Sequence, residues 1–130
     1  SDASSDLADK IDKHRAAVSA ILDDWQARGW QDVRPSDLLG WVLDLLALDV
    51  SRLPPACQGP ILLPLLRRMD DYFVGGADAV VDRATRPLLR SARRATVEGG
   101  PAFSRRELAL FYLRRRGLAN CVRRVVRSRF

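Results

Sequence analysis

Arginine is the residue type whose number and spacing in this sequence most suggest a chemical role. Nine arginines and one glutamate fall within residues 103–130. If this segment is a helix, six of the arginines form one strip, because side chains recur on a helix face every few residues. This basic ridge consists of Arg105, Arg106, Arg116, Arg123, Arg124 and Arg127. Guanidinium groups form charge-assisted hydrogen bonds with carboxylates and phosphates, so the ridge predicts an acidic partner.

The basic ridge has two other interpretations that the residues leave open. Arginine strips on helical domains are often solvated faces that keep the protein soluble. A helix of this kind can also lie along phosphates, and a basic helical nucleic-acid-binding module is the alternative function. Nucleic acid is the weaker candidate, because the ridge contains no Asn or Gln that could read base edges.

Membrane association is not expected from this sequence. The longest uncharged stretch, Leu53 to Leu66, is fourteen residues long and contains four prolines, so it is too short and too broken to span a bilayer. Association of the last helix with a membrane surface is also disfavoured. Its apolar face is needed by the core, and it contains no lysine.

The sequence lacks the residue sets that catalysis requires. It has one histidine, no Gly-rich phosphate loop, no Ser/His/Asp set and no paired glutamates at catalytic spacing, so no enzyme activity, catalytic residue or cofactor is predicted. Cys57 and Cys121 lie far apart without neighbouring ligands, which predicts neither a disulfide nor a metal site and indicates a reducing compartment. We expect His14 at the core edge and Asp44 as a buried acid paired with an arginine.

Charge is segregated along the chain. Residues 1–50 contain ten Asp and five Lys/Arg, whereas residues 51–130 contain seventeen Arg and six Asp/Glu, so the basic half favours an acidic partner. With 130 residues and 47% hydrophobic content, one compact domain is expected. The polar opening without an initiator methionine predicts an excised domain, with a flexible start at 1–5, a folded part at 6–129 and missing sequence upstream.

Hydrophobic periodicity predicts an all-α fold of about five helices, arranged as a helical-repeat-like bundle. The first helix runs from Asp6 to Arg28 and is stopped by Gly29. The second covers Leu38 to Leu48, takes its N-cap from the preceding Pro-Ser-Asp and contains a single charge. Such a helix is buried on most sides, and Trp41 is expected in the core.

Prolines and glycines delimit the third and fourth predicted helices. The third begins near Pro60 and Pro64, with Pro64 bending its first turn, and ends at Gly75. The fourth runs from about Ala77 to Val97, with a kink at Pro87.

The fifth predicted helix starts at the capping box Ser104–Glu107 and has two apolar faces beside the basic ridge. The broad face should pack on the core, with Arg115 snorkelling there. It comprises Leu108, Phe111, Tyr112, Leu118, Ala119, Val122, Val125 and Val126. Leu110, Leu113 and Cys121 lie opposite. An isolated domain should be polar at that place, so the helix is predicted to contact a second protein.

Six segments of the sequence carry a family resemblance. They are HRAAVSAILDDW (His14–Trp25), DLLGWVLDLLAL (Asp37–Leu48), LPLLRRMDDYFVGG (Leu63–Gly76), RPLL (Arg86–Leu89), FSRREL (Phe103–Leu108) and CVRRVVRS (Cys121–Ser128). No single segment is diagnostic. Their order and spacing resemble the C-terminal domain of the regulatory, β-propeller-bearing subunit of katanin, the microtubule-severing ATPase.

The resemblance implies a non-catalytic adaptor domain. In that family an all-α domain binds the N-terminal domain of the katanin catalytic subunit, which carries out the severing. Microtubules and short peptides of spindle-pole or minus-end proteins are the further expected partners. The implied location is the cytoplasm and cytoskeleton, at microtubules and at the centrosome, spindle pole or basal body.

The resemblance also suggests residues for contact with the catalytic subunit. Tyr72 and Phe73, beside Met69 and a glycine pair, lie where the family's matching tyrosine is expected at the subunit contact. Core packing is the other interpretation of these two aromatic residues. Leu110 and Leu113 complete the expected contact set, because they form the outward apolar group of the last helix.

Overall fold

Helix boundaries in the chain coincide with prolines and glycines. The computed structural model describes residues 3–115, which contain α1 (Ala3–Ala27), α2 (Pro35–Ser51), α3 (Pro55–Tyr72), α4 (Ala77–Val80), α5 (Arg86–Glu98) and α6 (105–115). A proline begins α2 and α3, where its missing N–H needs no partner. Gly75 and Gly99 follow α3 and α5 with positive φ, which glycine adopts at little cost. These residues contain no strand, so the predicted all-α class is confirmed.

The fourth predicted helix is two helices. Val81 adopts an extended backbone after α4, and Asp82 Oδ1 accepts a hydrogen bond of 2.8 Å from the N–H of Thr85. A short Asp side chain that bonds the backbone a few residues on stabilises a turn instead of a helix. Pro87 is then the second residue of α5, not a kink. The described part of the chain therefore holds six helices, one more than predicted.

Three other helices begin earlier than the sequence predicts. The first of them, α1, begins at Ala3 instead of Asp6. Arg34, in the left-handed region with φ 43°, precedes α2, and no side chain caps this helix; the predicted Pro-Ser-Asp cap is therefore wrong. Because α3 begins at Pro55, Pro60 and Pro64 lie inside it and not near its start. Each of these internal prolines removes one backbone hydrogen bond from the helix.

The hydrophobic core surrounds α2. Its buried apolar side chains are Leu38, Leu39, Val42, Leu43, Leu46, Ala47 and Val50. From α1, Ile11, Val18 and Leu22 face them at helical spacing, and Leu108 and Phe111 of α6 join the same core. Burying one such side chain is worth about 1.5–3 kcal/mol, so this apolar packing is the main stabilising term.

A buried glutamine joins two loops at one end of the bundle. Gln58, in α3, is 2% exposed. Its Nε2 donates a hydrogen bond of 2.9 Å to the Leu53 carbonyl oxygen, and a longer one of 3.4 Å to the Ser51 carbonyl oxygen. Its Oε1 accepts a hydrogen bond of 2.8 Å from the N–H of Ala102. One side chain thus links the α2–α3 turn to the α5–α6 loop.

We expect Gln58→Ala to lower the free energy of unfolding by about 2–4 kcal/mol, because it leaves buried backbone groups without partners. Urea unfolding followed by circular dichroism measures this change. Cys57→Ala is the matched control, since Cys57 is exposed and its replacement should change stability by less than about 0.5 kcal/mol. Equal stability of the two variants would contradict the role given to Gln58.

An ion-pair network joins α3, α4 and α5. Arg93 donates two hydrogen bonds to the Asp70 carboxylate, at 2.9 and 2.6 Å, and its Nε lies 2.7 Å from Asp78 Oδ2 without hydrogen-bond alignment. Asp70 Oδ1 also accepts the N–H of Ala77 at 2.9 Å. The Arg93 hydrogen bonds hold the pKa of Asp70 below its ordinary value of 3.8, although burial acts in the opposite direction.

We expect Asp70→Asn to lower the free energy of unfolding at neutral pH by roughly 1 kcal/mol, a figure that allows for solvent screening of a partly exposed carboxylate. A carboxylate whose pKa is lower in the folded protein stabilises the fold above its unfolded-state pKa, and this effect is lost as pH falls through the folded value. The difference between variant and wild type should therefore narrow below about pH 4. Denaturant titrations across this range measure it.

Asp71→Asn is the control for the Asp70 variant. The Asp71 side chain is 75% exposed and lies 3.4 Å from Arg68, so its replacement should have little effect at any pH. A stability difference for Asp70→Asn that persists unchanged in acid would contradict the assignment.

Candidate functional site

The serine predicted to cap the last helix does so. Ser104 Oγ accepts a hydrogen bond of 3.0 Å from the N–H of Glu107, which satisfies one of the N–H groups that every helix start leaves without an intrahelical partner. The helix that follows, α6, carries the described part of the predicted binding surface.

Two polar contacts and an apolar stripe fix α6 on α2. Leu108 and Phe111 are buried, as predicted for the core face. The Tyr112 hydroxyl donates to the Asp44 carbonyl oxygen at 3.2 Å, and Arg115 Nε donates to Asp44 Oδ2 at 3.1 Å. The predicted pairing of Asp44 with an arginine is confirmed, and Arg115 is that arginine.

The absence of a side chain at Gly40 makes room for Arg115. A Cβ added to Gly40 would collide with the Arg115 guanidinium. Leu108 shares a cavity with Leu48, whereas Arg115 contacts Asp44 and Gly40. Residue numbers therefore rise along α6 as they fall along α2, which makes the two helices antiparallel.

We expect Asp44→Asn to lower the free energy of unfolding by about 1–2 kcal/mol, because it leaves a partly buried guanidinium without its counter-ion. The side chains of Asp44 and Arg115 are 14% and 28% exposed. The matched control is Asp37→Asn, also on α2, whose pair with Arg34 is 60% and 80% exposed. That variant should cost less than about 0.5 kcal/mol, as judged by thermal unfolding. A larger loss of unfolding free energy in Asp37→Asn than in Asp44→Asn would contradict the role given to the Asp44–Arg115 pair.

The outward face of α6 is apolar and basic. Leu110 and Leu113 are 40% and 37% exposed, as their predicted position opposite the core requires. Arg105 and Arg106 are also exposed, and neither forms an ion pair with a carboxylate within residues 3–115. This α6 outer face, Arg105, Arg106, Leu110 and Leu113, is the described part of the candidate site.

Most of the predicted basic ridge lies outside the described residues. Arg116, Arg123, Arg124 and Arg127 belong to this group. The same holds for the apolar residues predicted to continue the helix. These are Leu118, Ala119, Cys121, Val122, Val125 and Val126.

Three residues expected at the subunit contact are core residues. Met69, Tyr72 and Phe73 are all at most 1% exposed. The Tyr72 hydroxyl donates to the Trp30 carbonyl oxygen at 3.4 Å, and burial raises the pKa of Tyr72. Because α3 ends at Tyr72 and the backbone of Phe73 is extended, both adjacent rings enter the core. This corrects the expected contact set, since a partner cannot reach these side chains in this fold.

A polar cluster that sequence spacing could not predict lies between α1 and α2. Asp49, buried on α2, has Lys10 Nζ at 3.3 Å and His14 Nδ1 at 3.9 Å from its Oδ2. These side chains line a cavity of about 260 Å³ that Trp41 and Tyr112 also border. In the part of the chain that is described, no group of three or more His, Cys, Asp or Glu side chains is arranged to hold a metal ion.

The three tryptophans of the chain gather at one end of α1 and α2. Trp25 and Trp30 pack edge to face, with ring centroids 5.8 Å apart. Trp25 and Trp41 line a groove of about 360 Å³ with Ile21 and Leu38. Trp41 is therefore half-buried, not fully in the core as expected.

No protein-family model, curated protein or solved structure matches the chain. The katanin resemblance, with the partners and location that it implies, stays a prediction from the sequence segments. None of the helices within residues 3–115 is long and apolar enough to cross a bilayer.

Proposed function

We propose that this chain is a non-catalytic adaptor domain. It binds the N-terminal domain of the katanin catalytic ATPase and helps to target and regulate microtubule severing, and its basic surface receives microtubules or acidic peptides. The observation that supports this proposal is the α6 outer face, which combines two exposed leucines with two exposed arginines.

The exposed leucines support a protein partner. Leu110 and Leu113 are three residues apart, so they lie on one side of α6. Val97, an exposed apolar side chain on α5, has no such neighbour on its own helix. Adjacent exposed apolar side chains extend a contiguous apolar surface, which favours a protein contact, whereas apolar residues exposed singly are ordinary surface.

The arginines support an acidic partner. Arg105 and Arg106 begin α6 without an internal counter-ion in the described part of the chain. Each exposed contact with a carboxylate is worth at most about 1 kcal/mol, so useful affinity requires several contacts at once. A flexible, glutamate-rich tail meets that requirement, because it can present many carboxylates with little geometric demand.

Co-expression with the N-terminal domain of a katanin catalytic subunit tests the adaptor function. We expect one complex on size-exclusion chromatography at micromolar concentration. The double variant Leu110→Asp with Leu113→Asp should weaken it at least about tenfold, as central interface residues do. Val74→Asp with Val97→Asp is the matched control, because both valines are exposed elsewhere. Separate elution of the unmodified chains would refute the adaptor function.

Microtubule co-sedimentation tests the basic surface. Binding should fall when the glutamate-rich tubulin tails are removed, and it should weaken with added salt because exposed charges are screened. Equal binding to intact and tail-less microtubules would exclude the tails as the ligand. Duplex DNA bound as tightly as microtubules at physiological salt would favour the nucleic-acid alternative.

A further inference from the structure

A cavity of about 520 Å³ lies between the end of α2 and the start of α6. Its lining residues are Leu48, Ser51, Arg52, Phe103, Arg105 and Leu108. Phe103 and Leu108 belong to the hydrophobic core, whereas Leu48 is 37% exposed. The cavity thus has an apolar floor that is open to solvent, and we call it the Arg52–Arg105 pocket.

The two arginines give the pocket a positive charge that internal acids do not balance. Arg52 has one ion-pair contact in the described structure, a long 3.8 Å approach to Asp49 Oδ1. Asp49 is also shared with Lys10, at 3.3 Å. Arg105 pairs with no carboxylate in residues 3–115. Both guanidinium groups are therefore available to an incoming anion.

The walls of the pocket are held in place before any ligand binds. Gln58 bonds the backbone of the turn that contains Arg52 and the backbone of Ala102, which precedes Phe103. Ser51 Oγ donates a hydrogen bond of 2.6 Å to the Leu48 carbonyl oxygen, which fixes the end of α2. A site with such fixed walls loses little conformational entropy on binding.

We propose that the Arg52–Arg105 pocket binds a peptide segment in which a carboxylate side chain is adjacent to a large apolar side chain. The carboxylate pairs with the two guanidinium groups, and the apolar side chain covers Leu48 and the edges of Phe103 and Leu108. A purely acidic ligand leaves this floor in water. A nucleic acid fits less well, because Phe103 is only 6% exposed and offers no open ring face for base stacking.

The test is an NMR titration of the chain with three synthetic peptides of about twelve residues, a length chosen to exceed the pocket. The first is glutamate-rich with one central leucine. In the second, glutamine replaces glutamate, and in the third, alanine replaces the leucine. We expect the first to bind about tenfold more tightly than either of the others, because it alone satisfies both the guanidinium groups and the apolar floor.

The decisive variants keep the net charge equal. Arg52→Gln with Arg105→Gln should raise the Kd of the leucine-containing acidic peptide about tenfold. Arg86→Gln with Arg90→Gln removes the same charge from exposed α5 positions outside the pocket lining, and it should raise the Kd less than about threefold. Leu48→Ser should abolish the preference for leucine over alanine, and because Leu48 is exposed the fold should tolerate it.

Three results would contradict the proposed peptide binding at the Arg52–Arg105 pocket. Equal weakening by the two double variants would mean that binding follows overall charge. Equal binding of the leucine and alanine peptides would mean that the floor is not used. Tighter, pocket-dependent binding of a single-stranded oligonucleotide would make the occupant a nucleic acid.

The proposal rests on the proposed function for its acidic partner, yet the two fail separately. If no complex forms with the katanin catalytic domain while the pocket variants still discriminate, the katanin partner is wrong and the pocket stands. If that complex forms while the pocket variants bind peptide like wild type, the pocket is wrong and the adaptor stands.

Discussion

The enclosure of α2 is the constraint on which the rest of the structure depends. Helices on several sides bury its apolar residues. They also shield Asp44 and Asp49, two acids in the second half of α2, from most of the solvent, so these acids need cations from other helices. Arg115 of α6 and Lys10 of α1 supply them. Arg115, from the basic second half of the chain, thus neutralises an acid of the first half inside the fold, whereas Lys10 belongs to the first half itself. Arg105 and Arg106, which have no such internal partner in the described region, remain for binding.

The free-energy contributions of the interactions distinguish those that stabilise the fold from those that fix the relative positions of its helices and loops. One buried apolar side chain contributes about 1.5–3 kcal/mol, whereas an exposed ion pair contributes at most about 1 kcal/mol. Apolar packing on α2 therefore supplies most of the stability. Polar groups shielded from solvent set the register: the buried Gln58 does so between two loops, and the partly buried Asp44 does so between α2 and α6. A binding site beside such groups is fixed in shape before its ligand arrives.

Local chemistry could be predicted from the sequence, and tertiary placement could not. The helical class, the Ser104 cap and an arginine partner for Asp44 follow from periodicity and charge, and the structure contains each of them. The break between α4 and α5 could not be predicted from hydrophobic periodicity, because it depends on a turn in which Asp82 accepts a hydrogen bond from Thr85. Burial of Tyr72 and Phe73 depends on the backbone change at the end of α3. Arg52 and Arg105 are distant in sequence, so only the fold reveals their shared pocket.

Hydrogen–deuterium exchange, with and without the N-terminal domain of a katanin catalytic subunit, tests most directly whether the α6 outer face is the binding surface. Added protection should concentrate in residues 105–115, because burial of this face restrains opening of the helix. Backbone amides of α2 around Leu39 and Leu43 should exchange at the same slow rate with and without the partner. Protection that avoids α6, or no change at saturating partner, would contradict the proposal.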